Sequence, residues 1–190
     1  LLKSPAFATI AILSLSLGIG ANTAVFSLID VLLLRPLPVS NPARLALLKL
    51  DEQRYSFSYP LFQQIHDRNS VFSQTFAWDI RNEQTPEGQD LMLVATVFGS
   101  GEFFQGLGVA PQLGRSFGPE DDRPGGGPNG PVVVISDGFW SRRFGRNSAV
   151  LGQTIPVNGV SATVIGVMPA GFFGAEVGTA PDLFLPLNTA

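Results

Sequence analysis

The chain has 190 residues, a formal net charge of −3, no cysteine and a single histidine. Without cysteine it can hold no disulfide framework, thiol nucleophile or cysteine-based zinc site. Beyond Arg35 ten basic residues face fourteen acidic ones, which argues against a nucleic-acid binder, because such a protein needs a basic patch to neutralise phosphates.

Charged residues make up 14% of the chain, against ~25% in ordinary soluble proteins. Part of the shortfall is local, since no charge occurs from Ser4 to Ile29. As a helix rising ~1.5 Å per residue this run reaches ~39 Å, enough to cross a hydrocarbon core of ~30 Å. The sequence therefore predicts one transmembrane helix near Pro5–Leu34, with residues 1–38 as helix and exit turn. Ser4 and Pro5 suit a helix start, and Arg35-Pro36-Leu37-Pro38 ends it because proline has no backbone N–H. A signal peptide fits poorly, because the run exceeds an h-region of ~7–15 residues and ends in a poor cleavage site. A buried core helix fits poorly too, given the length and the lack of a polar face.

Ser14, Gly18 and Asn22 fall four apart on one helix face. Small and weakly polar residues at this spacing let another membrane helix approach closely. Asp30 reads as an interfacial acidic residue. The flanking charges, Lys3 on one side and Arg35 and Arg44 on the other, do not by themselves set an orientation. The start at Leu1 and the apolar Leu183–Leu187 near the end predict a piece of a longer protein.

Beyond the membrane run, residues 39–190 read as one α+β domain. Arg44–Leu50 (RLALLKL) reads as a strand. Ser58 is expected to cap a helix running to about Asn69, with Leu61, Phe62 and Ile65 on its apolar face. Gln74–Asn82 and Asp90–Phe98 read as strands joined by the turn Thr85-Pro86-Glu87-Gly88. Gly101–Gly106 reads as a helical turn, Leu113–Asp122 as irregular, and Arg123–Gly130 as a loop. Pro131–Ser136 reads as a buried strand, and Asp137–Gly145 as a short helix closed by Gly145. Gln153–Val157 and Val160–Val167 pair across Asn158-Gly159, a strong hairpin signal. Leu183–Leu187 is the last strand.

Candidate chemistry is sparse. No Gly-x-x-x-x-Gly-Lys-Ser/Thr occurs, so ATP would have to be hydrolysed elsewhere. His66 lacks a Gly-x-Ser-x-Gly partner and is not expected to be catalytic. Glu120, Asp121 and Asp122 lack cation-loop spacing and read as a solvated acidic turn. Phe103, Phe104, Phe139, Trp140, Phe172 and Phe173 read as core rather than a ligand cage, although some could form an apolar surface that meets a partner. No catalytic, cofactor or metal residue is therefore expected.

Leu17-Gly18-Ile19-Gly20-Ala21-Asn22-Thr23-Ala24-Val25-Phe26-Ser27, followed by Leu33-Leu34-Arg35-Pro36-Leu37-Pro38, resembles the first membrane segment of MacB-like and FtsX-like ABC transporter permeases. Phe57-Ser58-Tyr59-Pro60, Leu113-Gly114-Arg115-Ser116-Phe117 with Glu120-Asp121, Phe139-Trp140 to Arg143-Phe144-Gly145, and Val164-Ile165-Gly166-Val167-Met168-Pro169 resemble the MacB-like periplasmic core domain. The resemblance spans nearly the whole chain in order. Phe98-Gly99-Ser100-Gly101 departs from the polar turn of many relatives. The resemblance implies a cytoplasmic N-terminus at the inner membrane, a periplasmic domain at 39–190, and three further membrane helices. It also implies a dimer that works with a cytoplasmic ATPase subunit or domain, in contact with membrane lipid. The expected function is non-catalytic: coupling ATP hydrolysis to periplasmic movement during export. Antibiotics, peptides, toxins and lipoproteins are substrates across such a family. The alternative is a membrane-anchored periplasmic binding or adaptor module.

Overall fold

A computed structural model of the chain describes residues 5–29, 38–49 and 56–189. The chain divides into two compact units, Leu1–Pro36 and Leu37–Ala190. The expected Ser4 cap, Asp30 and the Arg35–Leu37 exit lie outside the described residues.

Helix α1, Pro5–Ile29, fills the described part of the first unit. Its span Ala6–Ser27 is long and apolar enough to cross a membrane by length and composition. Leu17 is 76% exposed and Phe7 70%. Ser14, Gly18 and Asn22 lie along it and are exposed. The Thr23 hydroxyl donates back to the Ile19 carbonyl at 2.8 Å, so it is satisfied within the helix.

The second unit carries α2 (Tyr59–Asp67), β1 (Trp78–Glu87), β2 (Asp90–Gly99), α3 (Phe103–Leu107), β3 (Leu113–Gly114), β4 (Val132–Ile135), α4 (Asp137–Phe144), β5 (Thr154–Val157), β6 (Val160–Val167) and β7 (Leu183–Pro186). The seven strands form one sheet in the order β1-β2-β7-β4-β6-β3, with β5 paired to β6. Pairing is mixed: β7 is parallel to β2 and antiparallel to β4, and β4 is parallel to β6. This is the α+β architecture the sequence predicts.

Period-2 alternation sends each central strand to both faces of the sheet. In β4, Val133 and Ile135 enter one apolar cluster, and Val132 and Val134 the other. In β7, Leu183 and Leu185 go one way and Phe184 the other. Helix α4 brings Phe139 to the first cluster, and α3 brings Phe103, Phe104 and Leu107 to the second. A strand buried on both faces needs apolar residues at every position, which explains why β4 reads VVVI and β7 reads LFLP.

Several local expectations hold. Asn158 and Gly159 have φ values of 47° and 84°, and β5 and β6 pair across them. The Ser136 side chain accepts from the Phe139 amide at 3.2 Å, and Gly145 ends α4 with φ 55°.

Others are corrected. Leu45–Lys49 forms no strand; Leu45 instead caps a 3-10 turn, Pro42–Arg44. Ser58 occupies the cap position of α2, but its side chain makes no capping bond. That helix stops at Asp67 because Asn69 turns the chain, its Oδ1 accepting from the amides of Val71 and Phe72. Strand β1 runs through Thr85-Pro86-Glu87, and the turn tightens to Gly88-Gln89. Pro86 is tolerated there because β1 is an edge strand and needs no outward donor.

Candidate functional site

The segment that enters the second unit is built into the domain. The Ser40 amide donates to the Leu107 carbonyl at 3.2 Å, and its hydroxyl donates to the Gly108 carbonyl. Val39 and Leu45 pack against the cluster that contains Phe103, Phe104 and Leu107. Gly108, with φ 66°, closes α3 where Ser40 docks. The described start of this unit is thus fastened to the end of α3 and to the buried phenylalanines beneath it.

Those phenylalanines form a connected set. The Phe104 ring lies 4.8 Å from Phe117, 5.3 Å from Phe103 and 5.6 Å from Phe184, centroid to centroid. Phe103, Phe104, Phe139 and Phe172 are buried, while Trp140 and Phe173 are half-buried. These six aromatics are therefore largely core, as the sequence suggests.

The acidic turn is not simply solvated, contrary to the sequence reading. Only Glu120 faces solvent, where it pairs with Arg123. Asp121 is 7% exposed. Its two carboxylate oxygens accept from the Arg115 guanidinium at 2.7 and 2.9 Å, and Oδ2 also accepts from the Gly118 amide. The Arg115 hydrogen bond pulls the Asp121 pKa below its ordinary value, against the opposing effect of burial. Asp122 ties three loops together. Its Oδ2 accepts from the Gly101 amide at 3.0 Å, and Oδ1 accepts from the Asn188 amide at 2.9 Å. Burial raises the Asp122 pKa, with the Asn188 and Gly101 bonds acting against it. Sequence spacing could not reveal this latch, because Asn188 lies 66 positions away.

His66 Nε2 lies 3.8 Å from Glu102 and its Nδ1 3.3 Å from Asp67. Ser100, on the same cleft, has its hydroxyl oxygen engaged by the Ala77 amide. This is not the relay of a nucleophile, a base and an orienting carboxylate that acyl transfer requires. Among the described residues no group of His, Asp and Glu is placed to hold a metal ion.

The MacB-like periplasmic core domain family matches residues 8–190. Solved structures share the fold. The extracellular domain of the noncanonic ABC-type transporter YknZ from Gram-positive bacteria aligns over 70% of this chain at 18% identity, with a TM-score of 0.53. The periplasmic region of MacB from Actinobacillus actinomycetemcomitans aligns over 67% at 18% identity, with a TM-score of 0.52. The chain covers 63% and 54% of those two structures, less than two thirds of either. No curated protein matches the chain. The match over both the apolar helix and the sheet domain shows that the chain belongs to the MacB-like periplasmic core domain family.

Proposed function

We propose that this chain is the first membrane helix and the extracytoplasmic domain of a non-catalytic ABC-type permease. In this reading it carries work from a cytoplasmic ATPase to the far side of the membrane. The observation that supports it most is continuity: one family match runs from the apolar helix to the end of the sheet domain. The docking of Ser40 on α3 supplies a physical route. A flexible tether would dissipate a displacement, whereas a segment bonded to α3 and packed on its core moves the domain with it.

The face formed by Ser14, Gly18 and Asn22 packs against another membrane helix in this reading. Beyond the neighbouring helix backbone, no atom lies within 4 Å of where a Gly18 side chain would begin, so that position is open to a neighbour. The N-terminus is cytoplasmic, the domain is periplasmic, and two copies of the permease work with the ATPase. Residues 1–38 are the helix and its exit, and residues 39–190 the domain.

The chain has no cysteine, so a single Val71→Cys substitution gives a clean reporter at a side chain that is 82% exposed. In intact cells with permeabilised outer membranes, a membrane-impermeant maleimide should label it. Affinity capture of the same protein should bring down an ATPase subunit, or show a fused one. Labelling only after the inner membrane is lysed would contradict the orientation, and capture without any ATPase would contradict the function.

A further inference from the structure

A second site lies in the cleft between α2 and the loops at Ser100 and Asp122. Tyr59, Phe62 and His66 form one wall, with ring centroids 6.2 and 5.9 Å apart in turn. Glu102, Asp122 and Asp67 also line it. The space is about 160 Å³. That is smaller than the ~300–1,000 Å³ of pockets for drug-sized ligands and suits a head group.

Its charge is unbalanced. The sparsely exposed carboxylates of Asp121, Asp137 and Asp182 each face an arginine. Glu102, with a side chain only 23% exposed, has His66 as its ionic partner, at 3.8 Å. Among the described residues no lysine or arginine lines the cleft. The domain also shows what completes such a seat. Arg146 lies over the Trp140 ring at 5.7 Å while its guanidinium donates to Asp137 at 2.6 Å. Aromatic face plus carboxylate holds a guanidinium by quadrupole attraction and a charge-assisted hydrogen bond together. The α2 cleft has the aromatic face and the carboxylate, but among the described residues no guanidinium.

We infer that this cleft is a recognition site for a guanidinium or alkylammonium group, seated between Phe62 and Glu102. The group enters over the Tyr59–Phe62 rings, its N–H groups donate to Glu102, and the field of Asp122 and Asp67 adds attraction. Asp122 is already engaged by Gly101 and Asn188, so Glu102 is the anionic anchor.

His66 is the single histidine of the chain, so its ring resonances report on this cleft alone. The full chain in detergent micelles should be titrated at fixed pH with Gly-Arg-Gly amide, agmatine and, as a neutral control, Gly-citrulline-Gly amide. Saturable shifts with the two cations and none with citrulline are expected. Glu102→Gln and Phe62→Ala should each weaken binding about tenfold or more. Tighter binding of the peptide assigns the site to a partner's side chain, and tighter binding of agmatine to a free amine. Equal response to citrulline, no saturation, or binding unchanged in Glu102→Gln would overturn the inference. Glu102→Gln keeps the side-chain shape, so a misfolded variant does not confuse the result.

Discussion

Asn188 holds Asp122 from two directions, through its backbone amide at 2.9 Å and its side-chain amide at 3.1 Å, both to Oδ1. The same side-chain amide donates to the Tyr59 hydroxyl at 2.6 Å. One residue near the end of the described chain therefore fastens both the acidic turn and the start of α2. Asn188→Ala removes the side-chain bonds and keeps the backbone one. The expected loss is about 1–2 kcal/mol in denaturant unfolding, the ordinary worth of bonds that include a charged acceptor. Hydrogen exchange should quicken through Tyr59–Asp67, because that helix has no buried residue to hold it otherwise.

Asp121 sets an acid dependence. Its pKa is lowered in the fold, chiefly by Arg115. A carboxyl so shifted contributes stability that is present above its unfolded value of ~3.9 and is lost as pH falls through the lower folded value. Asp121→Asn should therefore cost stability at neutral pH, about 1–2 kcal/mol given that Arg115 is half exposed. It should also flatten the fall in stability below pH ~4. Unfolding midpoints measured from neutral to strongly acidic pH check both; parallel curves would contradict the assignment.

Phe104 is 1% exposed and touches the rings of four other phenylalanines. Phe104→Ala should cost about 3–5 kcal/mol, the usual range for emptying a packed aromatic site. Calorimetry or denaturant unfolding of the purified chain gives the number. A loss under about 1 kcal/mol would mean that the cluster is not the core of that face.

Gly108→Ala addresses the docked segment. The left-handed conformation at φ 66° disfavours a side chain, and the new Cβ would stand 2.6 Å from the Ser40 hydroxyl. A cost of about 1–2 kcal/mol is expected, together with faster hydrogen exchange at Ser40. If the proposed function holds, the activity of the assembled permease should fall even where the sheet stays folded, because Ser40 is loosened from α3.

Gly18→Leu tests the membrane face. A Cβ at this position would meet nothing within 4 Å beyond the neighbouring helix backbone. Domain unfolding should be unchanged, while recovery of the assembled permease complex by size-exclusion chromatography should drop. Unchanged assembly would remove Gly18 from the helix interface.

The fold was legible where a local rule was strong. Asn158-Gly159 announces its own hairpin, and Ser136 and Gly145 bracket α4, because turns and caps are decided by neighbours in sequence. Pro131–Ser136 and Leu183–Leu187 read as buried strands from composition alone. What failed depended on distant partners. Leu45–Leu48 has strand composition, but no neighbouring strand bonds to it. Asp121 and Asp122 look solvated until Arg115 and Asn188 are seen beside them. The docking of Ser40 on Leu107 and the approach of His66 to Glu102 left no mark in spacing.

The central claim is that nucleotide hydrolysis inside the cell moves this domain outside it. Spin labels on Val71→Cys in the assembled permease, with its ATPase, measure the separation of the two domains by pulsed electron resonance. The account predicts two distance populations whose ratio changes during ATP turnover, and no such turnover-dependent change with an ATPase that binds ATP but cannot hydrolyse it. A single distribution, unchanged by ATP in the active assembly, would contradict it.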